Sequence, residues 1–278
     1  MIPRIHKDTG WRLFVRTVMG RAYSRAVGYQ RQLSRLAIEV GLPLVALMAY
    51  IFVYRAIGGS QDLIGYVILG GAMSWFWVNV IWSMASQFFW ERQIGNLALY
   101  IIAPGSMMAI LLGMALGGMV LAAVRAGLII VLGSLLFHIS YAVSSVPLLI
   151  LVFFLTMAAL YAMGMMSASL FLLFGREARY FIDVAQEPVY LISGTYFPLR
   201  SLNAWIAGVA SLIPLTLGLD ALRQIVFARS AALGFLSPKI ESAILLGLAL
   251  IFLAAARWSL GYMERLAVAE GKLTEHRA

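Results

Sequence analysis

The sequence contains no cysteine and only three histidines, His6, His138 and His276. The lack of cysteine excludes disulfide bonds, thiolate metal sites and cysteine nucleophiles. The histidines fall outside the interiors of the long apolar runs, so a histidine metal cage and an intramembrane proton relay are not expected either. Neither thiol chemistry nor a metal centre is indicated by these residue types.

Charged residues are also scarce. They make up 12% of the sequence, whereas 62% of the residues are apolar. Soluble domains have roughly 25% charged and 45–50% apolar residues, so a water-soluble globule of this composition would have no polar surface. The formal net charge of +9 could indicate nucleic-acid binding. The basic residues cluster near the ends of apolar runs, however, where anionic lipid headgroups explain them. We therefore expect a membrane protein with lipid contacts and no nucleic-acid partner.

Two motifs of catalysis are missing. The only Gly-Lys pair, Gly271-Lys272, is followed by Leu273 rather than serine or threonine, so the chain has no phosphate-binding loop for ATP. Leu191 stands where the serine-hydrolase motif needs a glycine, two places before Ser193. We expect no catalytic residue and no cofactor on this chain, and an intramembrane enzyme is a minor hypothesis.

Apolar runs near 20 residues are long enough to cross a bilayer as helices. They predict an all-α membrane protein with six transmembrane helices in a domain over 37–260, preceded by residues 1–36 and followed by a tail at 261–278. The six predicted spans are 37–57, 64–90, 105–136, 146–173, 180–199 and 241–260.

A further apolar stretch lies within residues 200–225, before the last span. The part from Trp205 to Leu219 is too short to cross at roughly 1.5 Å per residue, and it contains Pro214. It fits a pair of re-entrant outer helices, or equally a helix lying on the outer leaflet.

The lysines and arginines are distributed unequally between the two sides of these six spans. The side that holds both termini receives most of the 21 basic residues. The opposite side receives only Arg55, Arg200, Arg223, Arg229 and Lys239. The positive-inside rule therefore predicts that both termini are cytoplasmic.

The segment before the first span has the pattern of an amphipathic helix. Apolar residues recur at three- or four-residue intervals, at Trp11, Val15, Val18, Ala22 and Ala26. This pattern predicts a helix in the inner membrane interface. A basic anchor with no further role is the alternative.

The connection between the second and third spans, residues 91–104, begins with a charged pair and ends with a proline. Apolar residues follow in helical spacing at 94, 97, 98 and 101, which predicts a short amphipathic cytoplasmic helix. A plain loop would not need this periodicity, but a helix that is pushed by a protein partner would. The candidate coupling residues are Glu91, Arg92, Gly95, Leu99, Ala103 and Pro104.

Two ionisable residues and two tryptophans within the spans are candidates for a transport pathway. Arg125 and Glu187 carry charge at membrane depth, which is costly and points to function by default. Their depths differ by about 15 Å at roughly 1.5 Å per residue, so a direct ion pair between them is not expected. Arg125 could instead reach the outer headgroups. Trp75 and Trp82 are seven residues apart and could line the path on one helix face, or belong to an interfacial belt.

Two glycines in the third span, Gly113 and Gly117, form a GxxxG motif. Small residues at this spacing let two helix backbones approach closely. The motif allows close packing within one subunit or between two subunits.

The stretch after the fifth span interrupts an apolar segment with proline, glycine and small hydroxyl residues. Broken helices at membrane depth occur only where they pack on protein or line a cavity, so this stretch is a candidate lid or pathway lining. Its marked residues are Gly194, Phe197, Pro198, Trp205, Pro214 and Arg223.

The connection at residues 91–104 and the outer stretch after the fifth span also resemble a known family. Glu91, Gly95, Leu99 and the Ala103-Pro104 pair, with Leu111, Leu112 and Gly113 after them, are similar to the segment that follows the second span of ABC-2 type permeases. The outer stretch from Ser193 to Arg223 resembles the second signature of that family. The resemblance implies an interfacial N-terminal helix, a coupling helix that docks on an ATPase, and re-entrant outer helices. It also implies two membrane subunits with two ATPase subunits.

With these sequence features, the resemblance implies the permease subunit of an ATP-binding cassette exporter in a bacterial plasma membrane. The expected partners are an ABC ATPase, which would hold ATP and Mg²⁺, and a second permease copy or a related permease. A hydrophobic drug-like or lipidic substrate is the first expectation and a lipid-linked polysaccharide the second. An ATP-independent carrier or channel remains the alternative of another class.

Overall fold

The computed structural model describes residues 10–29, 33–86, 91, 94–95, 106–174, 176–227 and 232–269. Within these residues the chain forms nine α-helices and no strand, which confirms the all-α fold class. The helices are α1 (Trp11–Tyr29), α2 (Leu33–Ala56), α3 (Gln61–Val78), α4 (Met107–Phe137), α5 (Val146–Phe174), α6 (Arg176–Ile192), α7 (Ala204–Ala210), α8 (Pro214–Val226) and α9 (Pro238–Ala269). A π-helical segment, Asn79–Ala85, continues α3, and a 3₁₀ turn, Leu199–Ser201, precedes α7.

Five of these helices are long and apolar enough to cross a membrane. They are Leu36–Ala56, Gln61–Trp82, Met107–Phe137, Val146–Ala168 and Pro238–Tyr262, and they lie where five of the six spans were predicted. The segment predicted as the span 180–199 contains instead the end of α6, which stops at Ile192 and carries charged residues. A turn over 193–197 follows it.

The sixth candidate for a crossing is the pair α7 and α8, whose axes are bent by 110° at a short break. Pro214 lies at the first helical position of α8, where its missing N–H costs nothing, so it starts the second helix instead of interrupting one. Every residue of α8 is buried, whereas Trp205 on α7 is 84% exposed. This exposed helix fits either of the two arrangements expected for residues 200–225.

Helix α3 is the centre of the bundle. Every residue from Ile64 to Met73 is buried, and the helix packs against α2, α4 and α8, as an apolar central helix should. Helix α9 packs along α5, and α8 lies between them and α3. The loop after α4 pairs with the end of α8, where the N–H of Ala142 donates to the Val226 carbonyl at 3.0 Å. The buried α8 is thereby held in place from several sides.

Candidate functional site

The predicted coupling segment is tied to the N-terminal helix. Glu91 is buried and accepts a hydrogen bond from Nη2 of Arg21 on α1, with 2.6 Å between Nη2 and Oε1. Ile94 is 69% exposed. The backbone of Gly95 has φ +84°, so a helix cannot run without interruption through this residue. Arg92, Leu99, Ala103 and Pro104 lie outside the described residues.

Helix α1 packs closely on the start of α4 through the two glycines of the GxxxG motif. A Cβ atom added at Gly113 would lie 2.6 Å from the Val18 carbonyl oxygen, and one at Gly117 would lie 2.7 Å from the Ala22 carbonyl oxygen. Both distances are too short for a side chain, so the glycines permit this approach. In the described structure the motif joins two helices of the same chain.

A second face of α1 is apolar and open. Trp11, Met19 and Tyr23 are between 62% and 76% exposed, and Val15 lies between them on the same stripe. Residues four apart lie on one side of a helix. An exposed apolar stripe on a helix with several arginines has the chemistry of a membrane-interface helix.

Arg125 forms an ion pair within the membrane region, but not with Glu187. Its Nη2 lies 2.5 Å from Oε2 of Glu39 on α2, an ion pair by distance and not an aligned hydrogen bond. The guanidinium carbon also lies 5.2 Å from the centre of the Trp75 ring, within cation–π range. Sequence reasoning missed Glu39, although it is the only acidic residue of the predicted span 37–57.

The other pathway candidates lie farther along the same region. The indole N–H of Trp82 donates to Oε1 of Gln186 on α6 at 2.7 Å. Glu187, the next residue, lies on the exposed side of α6 and makes no ion pair with any described residue. Trp75 and Trp82 therefore contact different helices, with the start of the π-helical segment between them.

The π-helical segment starts at a buried asparagine that sequence reasoning did not single out. Oδ1 of Asn79 accepts a hydrogen bond from the Tyr161 hydroxyl of α5 at 3.2 Å. A Cβ added at Gly118 of α4 would lie 2.4 Å from the same oxygen. Asn79 thus forms a polar contact among α3, α4 and α5. The π form is rare and often marks a functional position.

The guanidinium of Arg223 lies at the centre of the outer motif and donates hydrogen bonds to its backbone. It is fully buried and donates to the carbonyl oxygens of Gly194 at 2.5 Å, Thr195 at 2.6 Å, Phe197 at 3.1 Å and Tyr66 at 2.7 Å. Three of these carbonyls belong to the turn after α6, and the fourth belongs to α3. One buried charge therefore joins α8, α3 and the turn, as its several fixed donors allow.

Two glycines make this arrangement possible. Gly194 has φ +66°, a conformation that other residues rarely adopt. A Cβ at Gly70 would lie 1.9 Å from the Thr195 carbonyl oxygen and 2.8 Å from Nη2 of Arg223. Pro198 is buried beside the same turn, while Trp205 lies on the exposed helix α7. The outer motif is therefore one packed unit around Arg223, with Trp205 away from it.

Among the described residues, no group of three or more His, Cys, Asp or Glu side chains could hold a metal ion. What the described sites share is that they join helices. Arg21 with Glu91, Arg125 with Glu39, and Arg223 with its carbonyls each connect segments that are distant in the sequence.

Comparison with known proteins places the chain in a family. A family model described as ABC-2 type transporter matches residues 16–227, and no curated protein matches the chain. The matched range begins within α1 and ends just after α8, so it includes the Arg21–Glu91 contact, the π-helical segment and the outer motif. With most of its length matched and with several helices able to cross a membrane, the chain belongs to the ABC-2 type transporter family and is a multi-pass membrane subunit of an ABC transporter.

Proposed function

We propose that this chain is the permease half of an ATP-driven exporter that moves an apolar or lipidic substrate outward across a bacterial plasma membrane. The observation that carries the proposal is the contact between Glu91 and Arg21, since it joins the cytoplasmic segment to a helix packed on α4. A partner that moves this segment would therefore act on α1 and α4 as well as on α3. A binding partner can drive a conformational change only if it binds the two states with different affinity.

The proposed partner is an ABC ATPase that supplies ATP and Mg²⁺, with a second permease copy completing the transporter. The exposed apolar side chain of Ile94, beside the turn at Gly95, supports docking of a protein at this surface. Apolar residues of this kind are common at the centres of protein interfaces. Glu91 itself is occupied by Arg21, so it would orient the segment and not contact the ATPase directly.

The two buried arginines of the bundle support an apolar substrate. Arg125 is occupied by Glu39 and Trp75, and Arg223 by four backbone carbonyls. Both cations thus have partners within the chain, and the aromatic rings of Trp75 and Trp82 lie on the proposed pathway. A lipid-linked glycan would need further polar contacts from other residues, so a lipid is the simpler substrate.

Copurification and transport test the proposal together. The tagged chain is purified from its native membrane, and an ABC ATPase is the expected companion. The pair is then reconstituted in vesicles with a fluorescent NBD-labelled phospholipid, and transport is measured as ATP-dependent change in the fraction quenched by dithionite. Transport that proceeds equally without ATP would indicate a carrier, and would contradict the proposal.

The variant Ile94→Asp is expected to lower affinity for the ATPase by about tenfold, which corresponds to roughly 1.4 kcal/mol. The matched control is Ile57→Asp, which makes the same change at a 71% exposed isoleucine in the turn after α2. Membrane insertion should be unchanged in both variants. Equal ATPase binding by both variants would exclude the surface around Ile94 as the docking site.

A further inference from the structure

Two buried carboxyl groups lie together where α8 meets the start of α9. Asp220 is 3% exposed and Glu241 is 0% exposed. The amide Nε2 of Gln224 lies 3.0 Å from Oδ2 of Asp220 and 3.4 Å from Oε2 of Glu241. Both carboxyls therefore lie against the same amide nitrogen. Two ionised carboxylates this close together would repel one another strongly.

The charges around the pair leave one negative charge too many. Arg223 is the buried cation of α8 and lies one helical turn after Asp220 on the same helix. The other groups around this junction supply no buried positive charge. Asp62 and Tyr66 of α3 are not cations, and Lys239 of α9 is exposed. On the side of α5, the neutral Thr156 packs against Gly218. Arg229 lies outside the described residues. If Asp220 and Glu241 were both ionised, one buried charge would have no counterpart, which is a large cost.

The two carboxyl groups differ in the hydrogen bonds that their oxygens make. Oε1 of Glu241 is buried and has no hydrogen-bond partner. Oδ2 of Asp220, in contrast, already accepts hydrogen bonds from the backbone N–H of Phe235 at 2.7 Å and from Gln224. Oδ2 of Asp220 thus has the hydrogen bonds that a carboxylate oxygen needs, whereas one buried oxygen of Glu241 has none.

We propose that Asp220 and Glu241 form a proton-binding site in which the two carboxyls hold one proton, carried by Glu241. With this proton the group of Arg223, Asp220 and Glu241 is neutral. The site holds the residues just before α9 against α8, because Gln224 also donates to the Leu236 carbonyl at 2.7 Å. Loss of the proton would place two carboxylates side by side and loosen this junction, whatever substrate the chain transports.

Infrared spectroscopy of the purified chain in nanodiscs tests the site directly. The wild-type protein at neutral pH is expected to show the carbonyl stretch of an un-ionised carboxylic acid. This band should be lost in Glu241→Gln and shifted or lost in Asp220→Asn. The control Asp62→Asn, at the N-terminus of α3, should leave it unchanged. A spectrum with no such band, or with a band that all three variants retain, would overturn the proposal.

Thermal unfolding as a function of pH gives an independent measurement. The folded chain holds a proton that the unfolded chain releases at neutral pH, so a rise in pH should lower the Tm of the wild type. Glu241→Gln mimics the protonated side chain and should fold normally, with a smaller alkaline loss. Sodium or calcium ions that raise the Tm of the wild type but not of Glu241→Gln would show that a cation neutralises the pair, and this would overturn the proton assignment.

Discussion

Arg125 contacts the carboxylate of Glu39 and the ring of Trp75. Removal of Arg125 therefore also affects Glu39, which loses its ion-pair partner. In Arg125→Ala, Glu39 would keep its charge in an apolar region without this partner. We expect a lower Tm, with a loss in the free energy of unfolding of about 1–3 kcal/mol. The double variant Glu39→Gln with Arg125→Gln should recover most of the loss, because two neutral amides can still hydrogen-bond.

The control for this comparison is Arg257→Ala, which removes an exposed arginine from α9. It should leave the Tm near the wild-type value. If the double variant is as unstable as Arg125→Ala, the ion pair with Glu39 is not what stabilises Arg125. If the double variant is stable but does not transport, Arg125 has a role in the pathway in addition to its structural one.

The partner of Arg125 shows how far residue-scale reasoning reaches from sequence. Depth along the spans argued against Glu187, and the structure gives Arg125 a different partner. The choice of Glu39 depends on which helices are neighbours, since α2 and α4 are separated in sequence by α3 and the segment after it. Helical periodicity describes the faces of one helix and contains no information on which other helix packs there.

The packing of α1 on α4 can be tested through its two glycines. Gly113→Leu would place a side chain against the Val18 carbonyl and separate the helices. We expect hydrogen exchange of the α1 amides to accelerate by about tenfold, which corresponds to roughly 1.4 kcal/mol of lost protection. Hydrogen exchange with mass spectrometry measures this change peptide by peptide.

The matched control is Gly127→Leu, on the same helix at a position where an added Cβ meets nothing within 4 Å. Both variants have the same change in helix propensity, so only the contact with α1 differs. Unchanged exchange in α1 for Gly113→Leu would show that the helix is held elsewhere, for example by Arg21 and Glu91.

At the level of elements, the sequence indicated close packing at Gly113 and Gly117 but left its partner open. The structure supplies α1, which was expected to be a separate interfacial helix. One face of α1 packs on α4, and another face presents the exposed apolar stripe that begins at Trp11. A helix with two such faces shows two overlapping patterns, and the stripe predicted from spacing combined residues of both faces.

The orientation of the whole chain can be tested with single cysteines, because the sequence has none of its own. Cysteines at Ser60 and Ser140, in the exposed loops after α2 and α4, should react with an impermeant thiol reagent added outside intact cells. A cysteine at Ile94 should react only after the membrane is permeabilised. The expected result follows from the unequal distribution of lysine and arginine. Labelling of position 94 from outside would reverse the orientation.

For the whole molecule, the regions that could be predicted from the sequence are those whose structure depends on the residues of one segment alone. Length and apolarity placed five spans, since a bilayer imposes both on each helix separately. The stretch from α6 to α8 was harder, because its polar and broken helices are stable only through Arg223 and the carbonyls around it. The irregular backbone there depends on contacts made by other parts of the chain.

The π-helical segment gives the central helix a property that a uniform α-helix would lack. A π-helical turn holds one more residue than an α-helical turn, and each residue of an α-helix contributes about 100° of rotation and 1.5 Å of rise. Conversion of this segment to α-helix would therefore turn its end at Ala85 by about that angle relative to the half that Arg223 holds at Tyr66. An axial shift at one end of this continuous helix would then be accompanied by a rotation at the other end.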